Sequence, residues 1–169
     1  PVELTSIVSM ADSGGSTGRL RDQYGVLPPG DVRRALVALS GASQTLRGLF
    51  NYRFETGDLK DHSFGNIFLT ALEKITGNFG DAVNEAAQVL NIKGRVIPVT
   101  LHNTTLHARL VDGSLIHGET NIDIPLHNPT VPIKMVWLDP PASINPDARQ
   151  AILAADMIVI GPGDLYTSL

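Results

Sequence analysis

The chain has 169 residues, of which 43% are hydrophobic, and its 13 basic and 17 acidic residues give a net charge of −4. This length and composition suit one folded domain and exclude a disordered chain. The acidic balance argues against general nucleic-acid binding, and the lack of cysteine excludes disulfides, thiol nucleophiles and zinc–thiolate sites. With no secretory leader pattern and no apolar run near 18 residues, we expect a soluble cytoplasmic protein without a membrane partner.

A loop rich in glycine and serine follows the first predicted strand. The apolar run Leu4–Met10 predicts a buried strand, residues 11–18 (ADSGGSTG) form the loop, and Arg19–Tyr24 is expected to open a helix. Strand, glycine-rich loop and helix together present backbone N–H groups to phosphate or another anion. The spacing matches no standard nucleotide-binding pattern, so an ordinary surface turn is the alternative.

Helices dominate the next 70 residues. Asp31 is expected to cap a helix that Gly41 ends, and Ser63 to cap a strongly amphipathic helix that Gly77 ends. The apolar spacing predicts four helices, over residues 32–41, 46–54, 63–77 and 79–90. The last two form a helical hairpin.

The second half of the sequence is predicted to contain mainly strands. Strands are predicted at 94–101, 105–111 and 114–118 around an Asp112-Gly113 turn, then a loop over 121–132 and a strand over 133–138. A helix follows over 146–155 and a buried parallel-type strand over 157–160. We therefore expect an α/β fold: a Rossmann-like, doubly wound, mainly parallel sheet with helices on both faces and a small antiparallel excursion over 94–120. Both ends of the sequence look cut, so residues 1–169 are expected to form a single domain that is incomplete at each end.

Several side chains near the two strand-end loops are candidates for ligand contacts, because open α/β sheets bind ligands beyond the carboxyl ends of their strands. Asp12 either holds a metal, a ribose hydroxyl or a base edge, or accepts N–H groups of its own turn. Arg19 and Arg21 either clamp a phosphate or remain solvated. His62 lies at a helix start, where free N–H groups favour an anion. The remaining histidines, namely His102, His107, His117 and His127, lack a metal-ligand spacing and are assigned no metal.

Four ordered motifs together resemble one family. They are ADSGGSTGRLR (11–21), LPPGDVR (27–33), HSFGN (62–66) and GPGDLYTS (161–168), with NIKGRVIP (91–98) and the Asp112-Gly113 hairpin in agreement. In this order they resemble the CofD-like superfamily, and most closely its gluconeogenesis-factor branch (YvcK-type, UPF0052). The resemblance runs nearly end to end and implies a Rossmann-like fold with a nucleotide-type ligand at the strand ends.

The resemblance implies a nucleotide-binding site whose residues come from three motifs. They are Asp12, Gly14, Gly15, Ser16, Gly18 and Arg19 in the first loop, His62, Gly65 and Asn66 at the helix start, and Gly161, Gly163, Asp164, Tyr166, Thr167 and Ser168 in the last loop. Tyr166 would stack on a base or sugar, unless it is buried in the core. No catalytic residue and no metal ligand is assigned.

Two functional hypotheses follow from the resemblance, and a third stands beside them. The first is a UDP-sugar-binding regulator of gluconeogenic carbon metabolism and cell shape. The second is a transferase that moves a 2-phospholactyl group from a guanylylated donor to a deazaflavin precursor, with magnesium as cofactor. The third is an interaction module with a vestigial nucleotide site. The expected partner is a UDP-sugar or similar nucleotide, with self-association left open.

Two departures from the family pattern bear on these hypotheses. The family usually begins with a strand ending in a Gly-Gly-Gly-Thr-Gly loop, which this sequence lacks. It also commonly has two adjacent aspartates where this chain has Asp12-Ser13. Losing one carboxylate weakens a magnesium site, since magnesium usually takes one or two carboxylates together with phosphate oxygens.

Overall fold

The computed structural model describes residues 2–124, 128, 130–161, 163 and 165–167, and within them it forms a mixed α/β fold. The elements are β1 (Thr5–Val8), α1 (Gly15–Tyr24), α2 (Gly30–Ala38), α3 (Gln44–Asn51), α4 (Phe64–Thr76), α5 (Phe79–Val89), β2 (Arg95–Pro98), β3 (Thr105–Leu110), β4 (Leu115–His117), α6 (Glu119–Asp123), β5 (Ile133–Asp139) and α7 (Pro146–Ala154).

Two small sheets organise these elements. β1 and β2 pair in parallel, with Thr5 opposite Arg95 and Val8 opposite Pro98. Parallel strands need a crossover connection, and helices α1 to α5 supply it. The second sheet is antiparallel, in the order β4-β3-β5. The expected combination of a parallel sheet, surrounding helices and an antiparallel excursion is confirmed. The expected bounds of the excursion, 94–120, are wrong, because β2 belongs to the parallel pair and β5 completes the antiparallel sheet.

The main core lies between the parallel pair and helices α2, α4 and α5. Leu36, Leu69 and Val83 are fully buried there. The predicted helical hairpin of α4 and α5 is confirmed, because Gly77 ends α4 in the left-handed region (φ 83°) and the Asn78 side chain caps α5. Glycine is favoured at such a helix end because other residues are strained at positive φ.

A second, smaller core attaches the antiparallel sheet to the first loop. Ala11, three residues after the end of β1, packs with Leu106, Ala108 and Ile116 from the inner face of this sheet. The Ser13 hydroxyl accepts the Thr120 N–H at 3.1 Å, so α6 is fastened to the loop by hydrogen bonds as well. The excursion therefore borders the candidate site.

The first loop is shorter than predicted. Helix α1 begins at Gly15, four residues before the expected start at Arg19, so Ser16 and Gly18 belong to its first turns. Gly15 has φ +45°, which glycine adopts without strain, and it lets the chain turn directly from the loop into the helix.

Two further expectations about helices are wrong. Asp31 does not cap α2: Pro29 holds the N-cap position without a side-chain hydrogen bond, and Asp31 lies in the first turn, paired with Arg34. Part of the predicted 121–132 loop is the short helix α6. It follows the β3–β4 hairpin through Gly118, which has φ +86°.

The prediction of a buried strand at 157–160 is also wrong. The side chains from Met157 to Ile160 are between 63% and 80% exposed, and the segment forms no strand. A buried parallel strand depends on neighbouring strands for its ladder and its burial. No strand among the described residues pairs with this segment, so an apolar run alone was not enough to make it a strand.

Candidate functional site

The candidate site is built where helices α1 and α4 begin. Gly14 precedes α1 in an extended conformation, and no side chain caps that helix. The first N–H groups of a helix lack partners within the helix and carry the positive end of its dipole. Asp12 accepts the Gly14 N–H at 2.9 Å, so it stabilises its own turn, the structural alternative given above for this residue.

A buried network of hydrogen bonds joins the two helix starts. The Ser16 hydroxyl lies 3.0 Å from Nδ1 of His62 and accepts a 3.3 Å hydrogen bond from the Asn66 amide. The Asn66 side-chain oxygen in turn accepts the Arg33 Nε–H at 3.1 Å. Arg33 also donates to the Asn51 side chain. We call Ser16, His62, Asn66 and Arg33 the polar cluster.

The α4 start explains why His62 and Asn66 face Ser16. Ser63 caps the helix by accepting the Asn66 N–H at 3.3 Å, which places Asn66 in the first turn, next to the cap. Ser16, His62 and Asn66 are 4%, 6% and 3% exposed. The structure thus brings Ser16, His62 and Asn66 into contact, and their role in binding a ligand stays a prediction.

Arg33 is a buried cation with little compensating charge. It is 9% exposed. Burial lowers its pKa, the positive charges of Arg34 and Arg53 lower it further, and Asp31 opposes the shift. Within the described parts of the chain no carboxylate forms an ion pair with Arg33. Asp31, two residues away in the sequence, pairs with Arg34 instead. A buried charge is costly unless paired, so this arrangement favours an anion nearby.

His62 lies in the same positive environment. Burial lowers the pKa of His62, and the charges of Arg19 and Arg53 lower it further, while Asp61 opposes the shift. Arg19 donates to the Lys60 carbonyl at 2.8 Å, which holds its guanidinium on the loop before α4. The neutral form of His62 is therefore favoured, and the Arg19 guanidinium lies close enough to contribute to this effect.

Three glycines allow the motifs to approach one another. A Cβ on Gly30 would lie 2.7 Å from Asp12 Oδ2, so the second motif packs directly against the first. A Cβ on Gly65 would lie 2.7 Å from Cδ of Arg33, and one on Gly18 would lie 2.2 Å from the Ser13 carbonyl oxygen. Side chains at these positions would displace the backbone or the cluster.

A second carboxylate approaches Asp12 from the antiparallel excursion. Burial raises the pKa of Glu119 and the negative charge of Asp12 raises it further, while hydrogen bonds from Thr120 and the Ser13 N–H lower it. Oxygen donors of this kind suit magnesium. Among the described residues no group of three or more histidine, aspartate or glutamate side chains is arranged to hold a metal. A magnesium ion here would need phosphate oxygens from its ligand.

Four of the six predicted residues of the last loop lie within the described part of the chain. Gly161 and Gly163 are exposed, Tyr166 is 41% exposed rather than buried in the core, and Thr167 is buried. Asp164 and Ser168 lie outside the described residues. The ligand contacts expected from this loop stay predictions.

Arg33 and Glu119 were not among the predicted site residues. Arg33 belongs to the LPPGDVR motif, but nothing within that motif indicates its contact with Asn66. Glu119 carries no local signal, because only the folding of the β3–β4 hairpin brings it to Asp12. An open groove of about 430 Å³ lies elsewhere, along α5 and β2, and none of the predicted residues lines it.

Together these features define a class: an α/β protein in which two helix N-termini and a buried cation meet near a strand end, an arrangement typical of proteins that bind phosphate-bearing ligands. The family model for the 2-phospho-L-lactate transferase CofD matches residues 1–169. The chain belongs to the CofD family.

Relatives within this family carry a common name. The gluconeogenesis factor of Listeria monocytogenes is 46% identical over 170 residues, which cover 99% of this chain and 52% of the relative. That of Bacillus subtilis is 45% identical over 172 residues, covering 100% of this chain and 53% of the relative. The chain thus spans about half the length of these relatives.

A solved structure has the same fold. A UPF0052 family protein from Bacillus halodurans superposes with a TM-score of 0.93 at 44% identity, covering 99% of this chain and 53% of that one. The predicted family and branch are confirmed by these likenesses. In the described part of the chain, no helix has both the length and the apolar character needed to cross a membrane.

Proposed function

We propose that this protein is a gluconeogenesis factor that binds a UDP-sugar and regulates carbon metabolism and cell shape. The observation that supports this proposal best is the polar cluster, in which the buried Arg33 has no carboxylate partner among the described residues. A cytoplasmic location belongs to the same proposal, because UDP-sugars are cytoplasmic metabolites.

The polar cluster and the start of α1 provide hydrogen-bond donors and positive charge for a diphosphate. The uncapped start of α1 presents backbone N–H donors, and Ser16 adds a hydroxyl beside them. Arg19 and Arg33 supply positive charge, and hydrogen bonds between charged partners contribute about 1.5–3 kcal/mol each. An anion bound here also raises the pKa of His62, so that the imidazole becomes a further cationic donor.

In this proposal Asn66 has a positioning role. Its side chain holds the Ser16 hydroxyl on one side and the Arg33 guanidinium on the other, at 3.3 and 3.1 Å. Asp12 fixes the turn that aims the first N–H groups of α1. The sugar and the base would lie toward the last loop, where Tyr166 is exposed.

The transferase hypothesis is the alternative, and one observation favours it. Glu119 stands close enough to Asp12 for the two charges to interact, which provides a second carboxylate in place of the one that Ser13 lacks. Asp12 and Glu119 would hold magnesium against the phosphates of a guanylylated donor. A vestigial site in an interaction module is the third hypothesis.

Calorimetry separates these hypotheses. The protein is titrated with UDP-N-acetylglucosamine, UDP-glucose and GDP, with and without magnesium, alongside its Ser16→Ala variant. The matched control is Ser40→Ala, which removes a hydroxyl that donates to the Leu90 carbonyl at 2.8 Å, at the end of α2.

We expect UDP-sugar binding without magnesium, weakened about tenfold or more in Ser16→Ala and unchanged in Ser40→Ala. Magnesium-dependent GDP binding without a UDP-sugar signal would contradict the proposal and favour the transferase. Binding of none of these ligands would favour the interaction module.

A further inference from the structure

Two histidines face each other on the antiparallel sheet, away from the polar cluster. His107 of β3 lies directly opposite His117 of β4. The Gly118 N–H donates to the Leu106 carbonyl at 2.8 Å, so the neighbouring residues carry the ladder bonds and the histidines form a non-hydrogen-bonded pair. In such pairs the side chains of antiparallel strands approach most closely. The two Nδ1 atoms are 2.7 Å apart.

Trp137 of β5 packs against His107 on the side away from His117. Its indole stacks on the His107 ring with centroids 5.6 Å apart and planes 20° apart, and the His117 ring meets His107 edge-on at 4.6 Å. Arg109 lies 5.7 Å above the indole and completes the row. The opposite face of β3 packs into the smaller core, so this face of the sheet, with its histidines, is turned away from that core.

We propose that His107 and His117 bind one divalent transition-metal ion of the Cu²⁺ or Ni²⁺ kind. Imidazole nitrogen is a preferred ligand of these ions. The contact between the Nδ1 atoms is a hydrogen bond only if one ring carries the shared proton and the other offers its lone pair. When the metal binds, that proton moves from Nδ1 to Nε2 of the same ring, so both rings donate their Nδ1 lone pairs, and water fills the remaining positions.

The distance between the nitrogens favours one coordination geometry over another. For a metal–nitrogen bond of about 2.05 Å, a tetrahedral ion needs its two nitrogens about 3.3 Å apart, and neighbouring square-planar or octahedral positions need about 2.9 Å. The observed 2.7 Å is close to the second value. Once the rings have turned both lone pairs toward the metal, Cu²⁺ or Ni²⁺ requires less separation of the two nitrogens than tetrahedral Zn²⁺ does.

Sequence spacing gives no sign of this site. His107 and His117 are ten residues apart, and only the register of the hairpin brings them together. The site uses none of the residues of the polar cluster, so its test is independent of the proposed function.

Trp137 provides the readout, because it is the single tryptophan of the chain and touches His107. Its fluorescence is followed during titration with CuCl₂ and NiCl₂. We expect saturable quenching at one metal ion per chain. His107→Gln and His117→Gln should each weaken binding about tenfold or more. The matched control His102→Gln changes an exposed histidine that contacts Ser143 outside the sheet, and should leave the titration unchanged.

Electron paramagnetic resonance of the Cu²⁺ complex gives a second readout that does not depend on tryptophan. Two equivalent imidazole nitrogens should appear in the wild-type spectrum and one in His117→Gln. Circular dichroism confirms that each variant is folded. Quenching that is absent or does not saturate, or that stays the same in His117→Gln, overturns the proposal, as does a copper spectrum with fewer than two nitrogens in the wild type.

Discussion

Replacing Asn66 by alanine should destabilise the protein, because Asn66 is the centre of the polar cluster. The change removes the acceptor of the Arg33 Nε–H and the donor to Ser16, at 3.1 and 3.3 Å. A hydrogen bond to a charged group contributes about 1.5–3 kcal/mol and a neutral one about 1 kcal/mol. We therefore expect the free energy of unfolding to fall by about 2.5–4 kcal/mol, and Tm to fall by roughly 5–15 °C for a domain of this size.

Thr70→Val is the matched control on the same helix. Thr70 lies one turn after Asn66 and is also buried, but its hydroxyl has no hydrogen-bond partner among the described residues. Valine has the same shape and removes the cost of burying an unsatisfied hydroxyl, so this variant should be more stable than the wild type by about 1 kcal/mol.

Urea unfolding followed by circular dichroism measures both variants. The predicted difference between them is about 3.5–5 kcal/mol, with opposite signs relative to the wild type. If Asn66→Ala costs less than about 1 kcal/mol, or if Thr70→Val is equally destabilising, the hydrogen bonds of the cluster do not hold α1, α2 and α4 together as described.

Three further predictions concern close packing and pH. Gly18→Ala places a Cβ 2.2 Å from a backbone oxygen and should lower Tm strongly, whereas Gly48→Ala meets open space within α3 and should raise stability by about 0.5–1 kcal/mol. His62 has a lowered pKa in the folded protein, so the folded state binds fewer protons and the free energy of unfolding should fall as pH drops below about 6.5. His62→Gln should flatten that part of the pH profile, and an unchanged slope would contradict it. Burial raises the pKa of Glu73, so the free energy of unfolding should rise as pH falls through that raised value. At pH 7, Glu73→Gln should have a free energy of unfolding equal to or above that of the wild type. The glutamine amide oxygen still accepts the Leu27 N–H, and the partly buried charge is removed.

Local patterns predicted the parts of the fold that depend on local chemistry. Ser63 and Asn78 cap helices, Gly77 ends one, and the Asp112-Gly113 turn joins two strands, because each of these signals acts within a few residues of the chain. The start of α1 was placed too late, since glycines at 14, 15 and 18 suggested a loop. The helix nevertheless begins at Gly15, and residue 18 is glycine because the Ser13 carbonyl oxygen leaves no room for a side chain there.

The residues that could not be predicted are those whose role depends on distant partners. Arg33 joins the cluster through Asn66, which is 33 positions away, and Glu119 reaches Asp12 through the hairpin. The apolar run at 157–160 failed for the same reason, because burial of a strand depends on the neighbours it meets rather than on its own composition.

A crystal structure of the protein with UDP-N-acetylglucosamine tests the central claim most directly. The account predicts the diphosphate at the start of α1, within hydrogen-bond distance of Ser16 and facing Arg19 and the His62 imidazole. A nucleotide bound elsewhere, for example in the groove along α5 and β2, with the polar cluster untouched, would contradict it.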